Sequence, residues 1–389
     1  MISVLALAFS FLGPIACSKI SPTSVSEKAP EQPAPVLKKA ESPQLDSVRQ
    51  VNVYNWFDYI AENTNEDFSK ATGIAVKYAT FQSTEELEVK LLDGNSGFDV
   101  VAPSGLFVGH NIRTGLFRKL DKSKLPNLAN MDPILMKATE AFDPGHEYSL
   151  PYLWGTVGIG YNANMIEARM PNAQVDSWDI VLNPRIVSKF KDCGVAMLDA
   201  PSEIMQSVLI YLGKDPHTEN PEDYAEVRKI LLSVRPYIKY FHSWRYISDI
   251  ARGKICLAIG WNGDFGIALA RANDAHTGVD LRYSIPKEGA LIWVDNLAIP
   301  SDAKNVETAL SYINYLMDPR VAAENASFVH YATPNKAALD AGLVIADDNG
   351  NPAIYPSADV MAKLVADKPA SPELEDMRMR IWREIKAGQ

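Results

Sequence analysis

Short apolar runs alternate with helix-like patterns from residue 51 onward. Residues 51–55 predict a short buried strand, 63–71 predict a helix that ends at Gly73, and 74–79 and 98–102 predict two further strands. Strands separated by helices of about ten residues are typical of α/β units. The chain is therefore expected to fold as an α/β protein with a mainly parallel sheet.

The same alternation continues towards the C-terminus. Residues 305–317 predict a helix whose apolar face carries Ala309, Tyr312, Ile313 and Leu316. Two extended segments, 151–161 and 281–286, flank a long α/β block. These segments are the expected crossings between two lobes.

The first 49 residues differ from the rest of the chain. Residues 1–17 are an apolar run, too short for the about 20 residues of a membrane-spanning helix but typical of a signal peptide. Small residues precede Cys17 as in the lipobox of bacterial lipoproteins, so we expect a lipid on Cys17, with ordinary signal cleavage as the alternative. Residues 18–49 hold five prolines without an aromatic residue or glycine, which predicts a disordered, extended linker.

Composition and charge narrow the function classes. The 389 residues include 48 acidic and 38 basic side chains, a formal net charge of −10, which disfavours a nucleic-acid binder with a basic face. Hydrophobic residues make up 47% and charged residues 22%, as in folded globular proteins. At about 150 residues per domain, the length suggests two to three domains, and we expect two.

Common catalytic and cofactor motifs are absent from the sequence. It contains no phosphate-binding loop of the Gly-x-x-x-x-Gly-Lys type, no His-Glu-x-x-His and no Gly-x-Ser-x-Gly. Gly158-Ile159-Gly160 lacks the third glycine of a dinucleotide loop, and the six histidines show no metal-ligand spacing. We therefore expect neither a metal nor a cofactor.

Three short segments place a carboxylate beside a large aromatic residue. They are 56–59, 261–264 and 293–295, and each follows an apolar run, so we expect all three at strand-to-helix junctions. Ligands of open α/β sheets bind at the carboxyl ends of strands. Aromatic faces attract cations by about 0.5–2 kcal/mol each, and carboxylates add charge-assisted hydrogen bonds. The pattern predicts a cleft for a linear diamine or polyamine.

The two remaining cysteines, Cys193 and Cys256, can pair if the protein is exported to an oxidising compartment. Sequence spacing alone leaves open the alternative of two buried free thiols.

Several motifs resemble those of the periplasmic polyamine-binding proteins of ATP-driven importers. They are YNWFDYI at 54–60, GFDVVAPS at 97–104, LDKSKLPN at 120–127, GIGYN at 158–162, AIGWNGD at 258–264 and IPKEGALIWVDNLAIP at 285–300. The resemblance implies a two-lobed type II periplasmic binding protein fold with a hinge. Lobe I would hold 50–153 and 285–331, and lobe II 154–284 and 332–389. It also favours a disulfide between Cys193 and Cys256.

The resemblance also implies a set of ligand-binding residues. Ring-stacking positions fall on Trp56, Tyr59, Trp261, Trp293 and Tyr331, ammonium-binding acids on Asp58, Glu203, Asp264 and Asp295, and a pocket-lining serine on Ser104. Three positions depart from the usual pattern, with Phe57 and Leu106 in place of hydroxyl residues and Trp293 in place of a smaller ring. This added bulk predicts putrescine in preference to spermidine, with cadaverine and agmatine as further candidates.

The expected protein is thus a monomeric, lipid-anchored periplasmic receptor that delivers a polyamine to an ABC permease. Two other classes stay open on sequence. A receptor that signals without transport would share every pocket residue. A glycosidase would use two of the carboxylates, since aromatic platforms beside an acid pair also suit sugars.

Overall fold

A computed structural model describes residues 49–82, 84–345 and 348–388 of the chain. The expected signal peptide with its lipidated Cys17, and all of the expected linker except Arg49, lie outside the described residues. Among the helices inside those ranges, none has the length and apolar character needed to cross a membrane.

Strands and helices alternate along the described chain. The strands are β1 Gln50–Trp56, β2 Ala75–Phe81, β3 Val100–Val101, β4 Ser149–Asn162, β5 Val195–Met197, β6 Ile238–Phe241, β7 Leu257–Trp261, β8 Leu281–Ser284, β9 Ala290–Ala298 and β10 Leu364–Ala366. The α-helices are α1 Thr64–Thr72, α2 Thr84–Leu92, α3 Gly105–Asn111, α4 Pro133–Thr139, α5 Ala163–Glu167, α6 Asp179–Leu182, α7 Pro184–Val187, α8 Pro201–Tyr211, α9 Pro221–Val234, α10 Arg245–Ala251, α11 Asn262–Asp274, α12 Val306–Leu316, α13 Pro319–Val329, α14 Lys336–Asp340, α15 Ala358–Met361 and α16 Pro372–Ala387. Short 3-10 helices occupy Lys122–Lys124, Pro126–Asn130, Pro144–His146, Ser188–Phe190 and Arg235–Tyr237.

The predicted helices form close to their expected limits. Helix α1 ends at Gly73, which adopts the left-handed conformation with φ 69°. Helix α12 buries the four apolar residues expected on its inner face. Strand β3 is shorter than predicted, with only Val100 and Val101 in the ladder, and Pro103, which has no N–H to donate, follows it closely.

The sheet is mixed, so the expectation of a mainly parallel sheet was wrong. Its strand order is β2-β1-β3-β9-β4-β7-β5-β6, with β10 beside β9 and β8 beside β4. Strand β1 pairs in parallel with β2 and β3, β5 with β6 and β7, and β9 with β10. The antiparallel pairs β3–β9, β4–β9, β4–β7 and β4–β8 all involve β4 or β9. Local α/β alternation predicts the parallel units, and the extended segment expected at 151–161 falls within β4, but neither indicated the antiparallel pairing of β4 with β9.

Two large hydrophobic cores lie along this sheet. One includes Val157 and Ile159 of β4 and Trp382 of α16, and the other includes Leu150 of β4 and Tyr312 of α12. Strands β4 and β9 contribute residues to both cores. Two cores joined by shared strands agree with the two-lobed architecture, while the lobe limits given above stay predictions.

The structure confirms the disulfide between Cys193 and Cys256. Their Cα atoms are 5.6 Å apart, and the bond ties the segment before β5 to the residue before β7. Cys193 is 6% exposed and Cys256 is fully buried, so the bond lies within one hydrophobic core.

Because this disulfide closes a loop with a sequence separation of 63 residues, we expect its loss to lower the free energy of unfolding by about 2–5 kcal/mol. The measurement is urea unfolding of the protein and of the Cys193→Ser/Cys256→Ser double variant, each with and without a thiol reductant. Reductant should destabilise the unsubstituted protein and leave the double variant unchanged. Equal stability of the two proteins without reductant would contradict the expectation.

Candidate functional site

The site lies around two tryptophan rings that contact both hydrophobic cores. Trp261, at the end of β7, and Trp293, within β9, each pack against both hydrophobic cores. Three buried or partly buried acids lie around them, namely Glu203, Asp264 and Asp295.

Asp264 occupies the first turn of α11, directly after β7. Here the predicted strand-to-helix junction is confirmed, and the carboxylate is only 2% exposed. It accepts a hydrogen bond from the Tyr331 hydroxyl at 2.6 Å and a second one from the Tyr246 hydroxyl. Burial raises the pKa of Asp264 to about 6, against the effect of both tyrosine donors. The tyrosines and the positive end of the α11 dipole thus fix this carboxylate in one orientation and favour its charge.

Asp295 lies in the middle of β9, not at a junction, so that expectation was wrong for the segment 293–295. Strand β9 continues to Ala298 and pairs Asp295 with Leu153 and Trp293 with Gly155 of β4. Because side chains alternate along a strand, Trp293 and Asp295 point to the same face. A polar residue after an apolar run looks the same in the sequence whether the strand ends or continues, so the end of β9 was predicted too early.

The pKa of Asp295 is raised to about 7 by burial. The Tyr59 hydroxyl is near enough to lower this pKa, although it makes no hydrogen bond within 3.5 Å to any described residue. Ser104 forms an isolated antiparallel bridge with Asp295 and caps α3, its Oγ accepting from the Phe107 N–H at 3.3 Å. The backbone therefore brings Ser104 beside Asp295.

Glu203 stands in the first turn of α8 and accepts a hydrogen bond from Trp261 Nε1 at 3.0 Å. Burial raises the pKa of Glu203 to about 7, the Trp261 bond opposes the shift, and the charges of Asp367 and Asp295 add to it. The charge of Asp295 makes the smallest of these contributions, so Glu203 and Asp295 influence each other only modestly.

The aromatic side chains pack edge to face around these acids. The ring centroids of Trp293 and Tyr331 are 5.0 Å apart, and those of Tyr59 and Tyr331 are 5.7 Å apart. Two glycines make room, because a Cβ atom at Gly155 would overlap the Trp293 ring and one at Gly263 would overlap the Tyr331 ring. Ring positions are thus set by close backbone approach.

The segment 56–58 is more exposed than this group of acids. Trp56 ends β1 and packs its ring on Phe81 with centroids 4.4 Å apart, and Phe57 is 52% exposed. Asp58 is exposed, has φ 53°, and its Oδ2 lies 3.9 Å from Nη2 of Arg271 in α11. The charge of Arg271 also lowers the pKa of Asp264, so this arginine interacts with both Asp58 and Asp264.

Several residues of the site carry no local sequence signal. Tyr246 and Arg271 act on Asp264 from elsewhere on α10 and α11, and Asp367 acts on Glu203 from beyond β10. Asn262 fell inside the 261–264 cluster without a predicted role, and its Oδ1 accepts from the Thr156 N–H of β4 at 3.1 Å. Tyr246, Arg271 and Asp367 are close to the acids in space but not in the sequence, so the sequence pattern alone could not identify them as site residues.

None of the three acids has a cationic partner within the described ranges. No lysine, arginine or histidine nitrogen there lies within 4.0 Å of a carboxylate oxygen of Glu203, Asp264 or Asp295. No group of three or more His, Cys, Asp or Glu side chains in the same part of the chain could hold a metal ion. Since burying unpaired carboxylates is costly, the arrangement favours an organic cation as its partner.

The comparisons with known proteins agree with this geometry. The family model for bacterial extracellular solute-binding proteins matches residues 64–353. The chain is 47% identical to the putrescine-binding periplasmic protein PotF of Escherichia coli over 88% of this chain and 92% of PotF. It is also 47% identical to the putrescine-binding periplasmic protein SpuD of Pseudomonas aeruginosa, over 87% of this chain and 92% of SpuD.

Solved structures give the same result. The spermidine/putrescine ABC transporter substrate-binding protein PotD of Streptococcus pneumoniae superposes with a TM-score of 0.77 at 27% identity. The match covers 87% of this chain and 99% of that one. These similarities confirm the fold class and the resemblance inferred from the motifs.

The hydrogen bond from Tyr331 to Asp264 gives a direct test of the geometry. In a Tyr331→Phe variant we expect the pKa of the Asp264 carboxyl to rise above its present value of about 6, because a donor that favours the charged form is lost. Carbon-13 NMR titration of the labelled carboxyl measures this. The matched control is Tyr312→Phe, whose hydroxyl donates to Asn65 Oδ1 at 2.6 Å. An Asp264 pKa that is unchanged in Tyr331→Phe, or shifted equally in the control, would contradict the assignment.

Proposed function

We propose that this chain, which belongs to the family of bacterial extracellular solute-binding proteins, captures putrescine or a closely related linear diamine for delivery to an ABC permease. The observation that carries the proposal is the group of three acids, Glu203, Asp264 and Asp295, which have no cationic partner among the described residues and lie beside aromatic rings packed edge to face. A diamine supplies two ammonium groups that these acids accept and a methylene stem that the rings cover.

The ligand is proposed to lie with one ammonium towards Asp264 and the other towards Glu203, with Asp295 between them. This order is supported by electrostatics, because the charge of Asp295 raises the pKa of both Glu203 and Tyr331, and Tyr331 donates to Asp264. The proposed ring-stacking residues are Trp56, Tyr59, Trp261, Trp293 and Tyr331, with Ser104 and Phe57 lining the pocket and Asp58 as a fourth acid.

Binding is proposed to shift an equilibrium between open and closed arrangements of the two lobes. Glu203 and Asp264 lie in the proposed lobe II, whereas Asp295 and Tyr331 lie in lobe I, so a ligand gains all of their contacts only in a closed form. Asp58 and Arg271 also belong to different proposed lobes, and their 3.9 Å approach would add to closure.

We also propose that the cleft prefers putrescine to spermidine. Phe57, Leu106 and Trp293 are at least partly exposed and would narrow the cleft, which favours putrescine over spermidine. Cadaverine and agmatine differ less in bulk and remain candidate ligands.

Outside the site, we propose a periplasmic monomer anchored through a lipid on Cys17, with 18–49 as the spacer. The disulfide between Cys193 and Cys256 supports an oxidising compartment such as the periplasm.

The two alternative functions lead to different measurements. A sensory receptor would bind the same ligand without a permease. A glycosidase is favoured by one observation, the raised pKa of Glu203 and Asp295, which suits a general acid. Hydrolysis of chromogenic glycosides tests it, and we expect none.

Calorimetric titration tests the ligand class. The protein is unfolded and refolded to strip bound amines and then titrated with putrescine, cadaverine, agmatine, spermidine and a neutral sugar. We expect micromolar or tighter binding of a diamine and no heat with the sugar. No binding of any amine would overturn the proposal and leave the fold unaffected.

Asp264→Asn and Asp295→Asn should each weaken putrescine binding by more than about 1.5 kcal/mol, because each removes a charged hydrogen-bond acceptor. Asp340→Asn is the matched control, since that side chain is 63% exposed and pairs with Lys336. Calorimetry measures the three affinities, and thermal unfolding checks that the variants fold. An affinity unchanged in Asp264→Asn would remove Asp264 from the site.

Binding should also depend on pH. In this structure burial raises the pKa of Asp264 to about 6 and those of Glu203 and Asp295 to about 7. Ammonium groups bind the ionised carboxylates, so affinity should be highest above pH 7 and fall as these groups take up protons below it. Calorimetry at pH 7 in two buffers of different ionisation enthalpy should detect proton release on binding. Affinity that is constant from pH 8 to pH 5.5 is the contrary result.

A further inference from the structure

The two consecutive residues His330 and Tyr331 pack against one face of helix α11. A Cβ atom at Gly266 would overlap Cβ of His330, and a Cβ atom at Gly263 would overlap the Tyr331 ring. Gly263 and Gly266 are three residues apart on α11 and therefore lie on one helical face. The α11 backbone thus approaches both residues closely, next to Asp264 in its first turn.

The backbone of His330 adopts the left-handed conformation, with φ 56° and ψ 25°, where helix α13 ends. Most side chains disfavour this conformation. The next residue is Tyr331, whose hydroxyl donates to Asp264 at 2.6 Å. The conformation of His330 therefore sets the direction in which Tyr331 enters the candidate site.

The ring of His330 is held by a carboxylate from a later segment. Its Nδ1 lies 3.2 Å from Oδ1 and 3.1 Å from Oδ2 of Asp348. An ionised carboxylate only accepts hydrogen bonds, so Nδ1 is the donor to an ionised Asp348. Asp348 is 5% exposed, and no other lysine, arginine or histidine nitrogen of the described residues lies within 4.0 Å of its carboxylate. Because a buried carboxylate without a donor is costly, this contact favours one position of the ring.

The segment 348–355, which we call the strap, holds the same region at two further points. The Ala353 carbonyl accepts from Asn262 Nδ2 at 3.3 Å, at the start of α11. The Tyr355 hydroxyl accepts from the Thr333 N–H at 3.1 Å. The strap thus contacts the helix that carries the buried acid and the chain on both sides of the tyrosine that donates to it.

Resting on the proposed function, we propose that His330 and Asp348 are positioning residues for the polyamine site. The pair holds the left-handed turn at the end of α13 and so aligns Tyr331 with Asp264. Neither residue of the pair touches the ligand in this proposal. Loss of the pair should therefore weaken ligand binding by loosening the hydroxyl donor on Asp264, without removing a ligand contact.

The test compares two variants of the full chain that both accept a left-handed backbone. In His330→Asn the amide nitrogen stands as many bonds from the backbone as Nδ1 does and can donate to Asp348, whereas His330→Gly has no donor. Calorimetry should show a putrescine affinity within about twofold of the unsubstituted protein in His330→Asn. In His330→Gly the affinity should fall by about fivefold or more.

Removing the acceptor tests the pair from its other side. Asp348→Ala should show the same fivefold or greater loss as His330→Gly. The matched control is Asp192→Ala, which removes an acid that accepts from Arg169 Nε at 2.8 Å on the surface of the protein. The control should leave the putrescine affinity unchanged.

Carbon-13 NMR titration of the labelled Asp264 carboxyl gives a readout that a general loss of stability does not move. The pKa of Asp264 is about 6 in this structure. It should rise in His330→Gly and in Asp348→Ala, because the Tyr331 donor that favours the charged form is loosened. It should stay unchanged in His330→Asn and in the Asp192→Ala control.

The outcomes separate the positioning role from the function as a whole. The positioning role is overturned if the two His330 variants behave alike, or if affinity falls while the pKa of Asp264 stays constant. Failure of the unsubstituted protein to bind putrescine overturns the proposed function instead. The Asp264 titration needs no ligand and then still decides the positioning role. Thermal unfolding checks each variant, and one folded variant without the pair suffices for comparison with His330→Asn.

Discussion

The site depends on the burial of carboxylates that have no cationic partner among the described residues. An isolated buried charge is costly, and the cost appears here as raised pKa values for Glu203, Asp264 and Asp295. Hydroxyl and indole donors offset part of this cost without neutralising the charge, as Tyr331 does for Asp264 and Trp261 does for Glu203. A cationic ligand that binds among the three acids would remove the rest of this unfavourable energy.

The fold supplies this arrangement through two long strands. Strands β4 and β9 take part in both hydrophobic cores, and β9 carries Trp293 and Asp295 on one face between them. Trp261 ends strand β7, and Asp264 follows it in the first turn of α11. Because the rings pack against both cores, a change in the relative position of the cores would change the site directly.

The sequence allowed the local parts of this structure to be predicted. Contiguous features such as the 261–264 cluster, helices α1 and α12 and the α/β alternation were visible because neighbouring residues determine them. The mid-strand position of Asp295 was missed, since one polar residue after an apolar run looks the same at a strand end or inside a strand. Tyr246 and Asp367 were missed because their partners lie 18 and more than 150 residues away in the chain. These two residues join the site through the packing of the fold, which their spacing in the sequence does not reveal.

If the buried acids exist to receive a cation at each end of the ligand, removing one charge from the ligand must matter more than changing its length. The direct measurement is calorimetric titration of the ligand-free protein with putrescine and with butylamine, which has the same four-carbon stem and a single ammonium. Putrescine should bind at least about a hundredfold more tightly, the loss expected from leaving one buried acid unpaired. Equal affinities would show that burial of the stem alone drives binding and would contradict the role assigned to the paired acids.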